Sequence, residues 1–110
     1  MAKLYAVVIP RSKEPFFREV EPDRLVPCLA EIVGGATQVL PVVSDTRYVM
    51  VVSGITTGKR KNLAASRLTG QAVYGTASLL MQERGGLRPL SQFAAKVAVR
   101  NLFGGGVQDV

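Results

Sequence analysis

Residues 53–62, SGITTGKRKN, gather the side chains best suited to chemistry: Gly54 and Gly58, Thr56 and Thr57, then Lys59, Arg60, Lys61 and Asn62. A Gly-Lys pair after an apolar run suggests a nucleotide phosphate loop, in which backbone amides and a lysine surround the phosphates. Three features oppose that reading. The G-x-x-x-x-G-K-[ST] motif needs one more residue between its glycines than Gly54 and Gly58 have. It needs Ser or Thr after the lysine to hold magnesium, and Arg60 stands there. It also opens a helix, whereas residues 54–69 read as a polar, basic, glycine-bearing loop. Simpler phosphate binding survives these objections. Lys59 and Lys61 can act as point charges, Arg60 and Arg67 can each grip a phosphate with two donors, and Thr56, Thr57, Asn62 and Ser66 can add neutral ones. A solvated loop whose charges discourage edge pairing between sheets is the competing account.

Other chemistries fall away on composition. The chain of 110 residues has no histidine and one cysteine, Cys28. That removes Ser-His-Asp and Cys-His arrangements, histidine acid-base work, and thiolate zinc or iron–sulfur sites. The carboxylates cluster only at Glu19, Glu21 and Asp23, around an expected helix start where acidic residues favour the helix dipole. The expectation is a protein that is not an enzyme and carries no metal or cofactor. Cys28 lies among apolar residues and cannot form an internal disulfide, which fits a buried thiol in a reducing, intracellular setting.

Charge gives the next constraint. The net charge is +6, unevenly spread. Residues 1–45 hold five Lys/Arg against six Asp/Glu, while residues 46–108 hold nine Lys/Arg against Glu83 alone. Such a field favours an anionic partner: nucleic acid, a nucleotide or an acidic protein surface. A basic surface kept for solubility accounts for it equally well. Single-strand nucleic-acid binders interleave cations with exposed aromatics. Here most aromatics fall in apolar runs, leaving Phe16-Phe17 beside Arg18 as the one stacking edge. Lys96 and Arg100, four apart, place two cations on one helix face.

The elements that must position these residues follow from pattern. Leu4–Ile9 is a continuous apolar run, a buried central strand rather than a secretory signal, and no run approaches the roughly 20 residues of a membrane span. Residues 16–20 read as a second strand. A helix follows Pro22-Asp23, with Leu25, Val26, Leu29, Ile32 and Val33 building one apolar stripe and Gly34-Gly35 ending it. Thr37–Val43 and Arg47–Ser53 form a hairpin through Ser44-Asp45. Gln71–Met81 returns to strand character until Gly85-Gly86. Ser91 caps a last helix over Gln92–Phe103, stopped by Gly104. The predicted fold is α+β: one domain over residues 1–103, a small mostly antiparallel sheet of about five strands with two helices packed on one face, and a flexible tail over 104–110.

As a whole the sequence resembles a family of small phage and plasmid proteins catalogued as domain of unknown function 3846. The features that carry the resemblance are LYAVVIP with the KEP after it, LAEIVGGATQVLPV, TGKRKNLAASRLTG and AVYGTASLL, over about residues 3–98. In that family the Gly-Lys precedes a Leu-Pro-x-Asn-Arg segment. Leu63 and Arg67 match it, whereas Ala64 replaces the proline and Ser66 the asparagine. The resemblance implies a mobile-element protein in the host bacterial cytoplasm. The expected function is counter-defence by sequestering a phosphorylated ligand, a nucleotide signal. The basic loop of a homo-oligomer would hold it, with Tyr74 or Phe17 stacking a base. The alternative is a domain that binds nucleic acid or inhibits a host factor.

Overall fold

The computed structural model describes residues 3–84 and 86–104, and the tail expected over 104–110 lies outside them beyond Gly104. Five strands form one continuous path in the order β2 (Phe16–Val20), β1 (Leu4–Ile9), β5 (Ala77–Glu83), β4 (Tyr48–Ser53), β3 (Thr37–Pro41). A short sixth strand, β6 (Gly86–Arg88), folds back on β5, placing Met81 opposite Arg88. Every pairing among these strands is antiparallel, so the α+β reading holds. Leu90 then bonds Tyr5 in both directions, at 2.7 and 2.8 Å, which ties the chain after β6 to β1.

The central strands explain why the sheet needs cover on both faces. β4 is buried at all six positions, and β1 is buried from Ala6 to Ile9. Successive side chains point to opposite faces, so an unbroken apolar run fills two cores rather than one. On one face Val7, Ile9, Met50 and Leu79 pack with Ala65 and Leu68 of α2 (Leu63–Thr69) and with Ala95 and Ala98 of α3 (Gln92–Phe103). On the other, Ala6, Val51 and Leu80 pack with Leu29 and Val33 of α1 (Leu25–Val33). The two helices expected on one face therefore lie on opposite faces. The helix that shares a face with α3 is α2, which stands where the sequence reading placed loop.

Helix ends follow their local chemistry. Pro27 is the third residue of α1, where its missing N–H had no helical partner to lose. Gly34 closes α1 in the left-handed region at φ 81°, its N–H bonded to Ala30 O. The hairpin expected between Thr37 and Ser53 is present. Its turn is held by Arg47, whose guanidinium donates to both Asp45 carboxylate oxygens at 3.0 and 2.7 Å. These bonds hold the Asp45 carboxyl below the ordinary carboxylate range.

One core position is at odds with its surroundings. The Ser78 side chain is fully buried in β5, and its hydroxyl has no hydrogen-bond partner among the described residues. A buried hydroxyl without a partner costs free energy relative to a methyl of nearly the same shape. Ser78→Ala is expected to raise stability by up to about 1 kcal/mol, read as a higher urea midpoint at unchanged slope. A lower midpoint would show that the hydroxyl has a partner in solution.

Candidate functional site

The segment 54–62 leaves the end of β4 and returns to the sheet through a short extended stretch. Lys61 pairs with Tyr74, the Asn62 N–H bonds Val73 O at 2.7 Å, and the Gly75 N–H bonds Arg60 O at 2.8 Å. Asn62 then starts α2, which Gly70 closes at φ 70°. The basic segment does lead into a helix, contrary to the loop expected over 54–69. The nucleotide-loop reading is still opposed by the glycine spacing, by Arg60 after the lysine, and by the direction of Lys59. The Lys59 Nζ donates to Val33 O and Gly34 O, both at 3.2 Å, and so caps the carbonyl end of α1. Its stem lies along Gly75, which sits at φ 83°; a Cβ there would approach Lys59 Cδ to 2.9 Å.

The nine residues singled out as ligand-binding divide by this geometry. Asn62 is fully buried. Its Nδ2 donates to Ile9 O at 2.9 Å and Gly75 O at 2.8 Å, and its Oδ1 accepts the Ala65 N–H at 3.0 Å. Ser66 Oγ accepts the Val73 N–H at 2.8 Å. Asn62 and Lys59 thus hold the loop to the fold rather than face a ligand, while Ser66 bonds the Val73 backbone from the edge of a groove beside α2. Thr56, Thr57, Arg60, Lys61 and Arg67 remain exposed, and Tyr74 is half-buried. Phe17, the other stacking candidate, packs into the α2–α3 core and against Tyr5 at 6.4 Å between ring centroids. Phe16 is half exposed, and Lys96 and Arg100 are exposed on α3.

Lys61 and Arg67 meet at a shallow, open groove of about 450 Å³, completed by Leu63, Ser66, Gly70, Gln71 and Ala72. The groove is lined by two cations and no carboxylate. Among the described residues the ion pairs are Lys3–Glu19, Arg18–Glu31, Arg47–Asp45 and Arg88–Glu83, so Arg60, Lys61 and Arg67 are engaged by none of them. A lining with two cations and no carboxylate gives the groove a positive potential, which favours an anion over a cation.

Sequence reasoning missed α2 and the structural use of Asn62 and Lys59. The signal for α2 was present: Asn62 before Ala65 and Leu68, with Gly70 at the far end, is a short capped helix with one inward stripe. Among the described residues no three His, Cys, Asp or Glu side chains lie together as a metal site, and no helix is long and apolar enough to cross a membrane. Comparison of the chain with protein-family models, with curated proteins and with solved structures finds no match.

Proposed function

We propose that the protein is a non-catalytic binder of a phosphorylated small ligand, a nucleotide, held at the α2 groove by Lys61 and Arg67 with Arg60 beside them. The observation that supports this most directly is that Lys61 and Arg67 both line one open groove whose lining has no carboxylate. Its size falls in the range of small-molecule sites, roughly 300–1,000 Å³. An open groove buries little of a ligand, so the proposal includes a homo-oligomer in which a second copy closes the site. With the resemblance to phage and plasmid proteins, the biological reading is sequestration of a host nucleotide signal in the bacterial cytoplasm as counter-defence.

A thermal-shift panel of inorganic phosphate, mono-, di- and cyclic nucleotides tests this, because a ligand that binds only the folded state raises its melting temperature. At about 100 times Kd the stabilisation is about 2.7 kcal/mol, which is a shift of several degrees. The triple variant R60A/K61A/R67A is expected to weaken binding by about 100-fold or more, since charge-assisted bonds each contribute roughly 1.5–3 kcal/mol. Lys59→Met is expected to lower the melting temperature and leave affinity unchanged, because its ammonium serves α1. The proposal fails if no nucleotide stabilises the wild type at excess. Native mass spectrometry of the purified protein reads oligomer and retained ligand together.

A further inference from the structure

The sheet sorts charge in a way the chain order hides. At one end lie the connections 10–15, 34–36, 54–62 and 70–76, because the end of β1, the start of β5 and the end of β4 are neighbours there: Ile9 stands opposite Ala77, and Val51 opposite Ser78. These connections carry Arg11, Lys13, Lys59, Arg60 and Lys61 against one carboxylate, Glu14. At the other end, connections 21–24 and 42–47 with Arg84 carry Glu21, Asp23 and Asp45 against three arginines. Arg11 and Lys13 belong to the near-neutral half of the sequence, yet the fold delivers them to the basic end.

Asn62 makes the join. Its amide is bonded to Ile9 O, so the basic segment docks within two residues of Arg11. Two residues of extended chain span roughly 7 Å. Lys61 lines the α2 groove. Arg60, its neighbour, is exposed and is not among the residues lining that groove, and adjacent side chains of an extended backbone point to opposite sides. Arg11, Ser12 and Lys13 are exposed at this same end of the sheet, and neither cation is in an ion pair among the described residues.

We infer that the segment 60–61 is a crest between two anion subsites, and that the ligand carries at least two phosphoryl groups. Lys61 and Arg67 take one group in the groove. Arg60 takes the other together with Arg11 and Lys13 of the β1–β2 connection. The class that fits is a nucleoside diphosphate or a more highly phosphorylated small nucleotide: one phosphate would leave one side of the crest unused. This rests on the proposed nucleotide binding and adds the subsite and the phosphate count.

Titration calorimetry with AMP, ADP and inorganic pyrophosphate at fixed ionic strength tests it. The wild type is expected to bind ADP at least about tenfold more tightly than AMP, one further charge-assisted contact being sufficient for that ratio. In R11A/K13A the ratio is expected to fall towards one with AMP affinity kept, whereas R60A/K61A/R67A loses both nucleotides. Both residues are exposed, so an unchanged melting temperature of R11A/K13A confirms that the fold is intact. An ADP preference that survives R11A/K13A overturns the second subsite and leaves nucleotide binding standing. Failure of every nucleotide to bind the wild type removes both. Tighter binding of longer single-stranded oligonucleotides than of ADP, with a steep salt dependence, also overturns the inference, because it makes the two sides of the crest a track for a polymer backbone.

Discussion

Asn62→Ala is expected to destabilise the protein by about 3–5 kcal/mol. The side chain is fully buried and satisfies three backbone groups at once: the carbonyls of Ile9 and Gly75 and the N–H of Ala65. Its removal leaves groups on β1, on the strand entering β5 and at the start of α2 without partners. Each buried orphan costs roughly 1–3 kcal/mol, and the three share one cavity, so the sum is less than additive. Against a total stability of about 5–15 kcal/mol for a domain, that is a large fraction. Asn62→Asp keeps the shape but replaces the donating Nδ2 with an oxygen, which then faces the carbonyl oxygens of Ile9 and Gly75 with no proton between them. It is expected to be at least as damaging, and more so as pH rises and the buried carboxyl ionises. Leu63→Ala, one residue on and 65% exposed, is expected to stay within about 0.5 kcal/mol. Urea melts of the three variants check this. If Asn62→Ala melts like the wild type and loses only nucleotide binding, then Asn62 is a ligand contact and its bonds inside the fold are incidental.

Asn62 also shows what the sequence could and could not disclose. Its position after three cations and before an alanine-rich run makes it look like a donor in a phosphate loop. Its actual role depends on Ile9, which is 53 residues away. Long-range bonds of this kind leave no local pattern. Lys59 is a parallel case: the Gly-Lys spacing is visible, but the carbonyls it caps belong to α1, whose end arrives beside the loop only once the sheet has formed. Where the pattern was local the reading held, except at α2, whose short capped run was read as loop. β1, β2, α1, the β3–β4 hairpin and α3 follow from apolar runs, helical stripes, Gly34 and the Ser91 cap, whose Oγ accepts the Ala94 N–H at 3.1 Å. The strand expected from Gln71 is shorter, beginning at Ala77, because residues 71–76 run antiparallel to 60–62 outside the main ladder. The exposed cations of the groove were legible as residues. That Arg11 and Lys13 lie at the same end of the sheet was not, since it comes from strand order.

Leu80→Asp is expected to prevent folding, and Leu79→Asp equally so, because both side chains are fully buried on opposite faces of β5. An unpaired carboxylate in an apolar core costs several kcal/mol, or forces the group to stay protonated. The milder pair carries the argument quantitatively. Leu79→Ala opens a cavity beneath α2 and α3, and Leu80→Ala opens one beneath α1. Each is expected to cost about 2–5 kcal/mol. Gln82→Asp, exposed near the end of the same strand, is expected to cost little. A sheet with both helices on one face would behave differently: one leucine would face solvent, its alanine variant would melt like the wild type, and its aspartate variant would be soluble and folded. Comparable losses at adjacent residues require cover on both sides, because neighbouring side chains on a strand cannot share a face. That cover bears on the basic segment too. Lys59 caps α1 on one face while Asn62 starts α2 on the other, so the crest at Arg60-Lys61 is pinned from both layers.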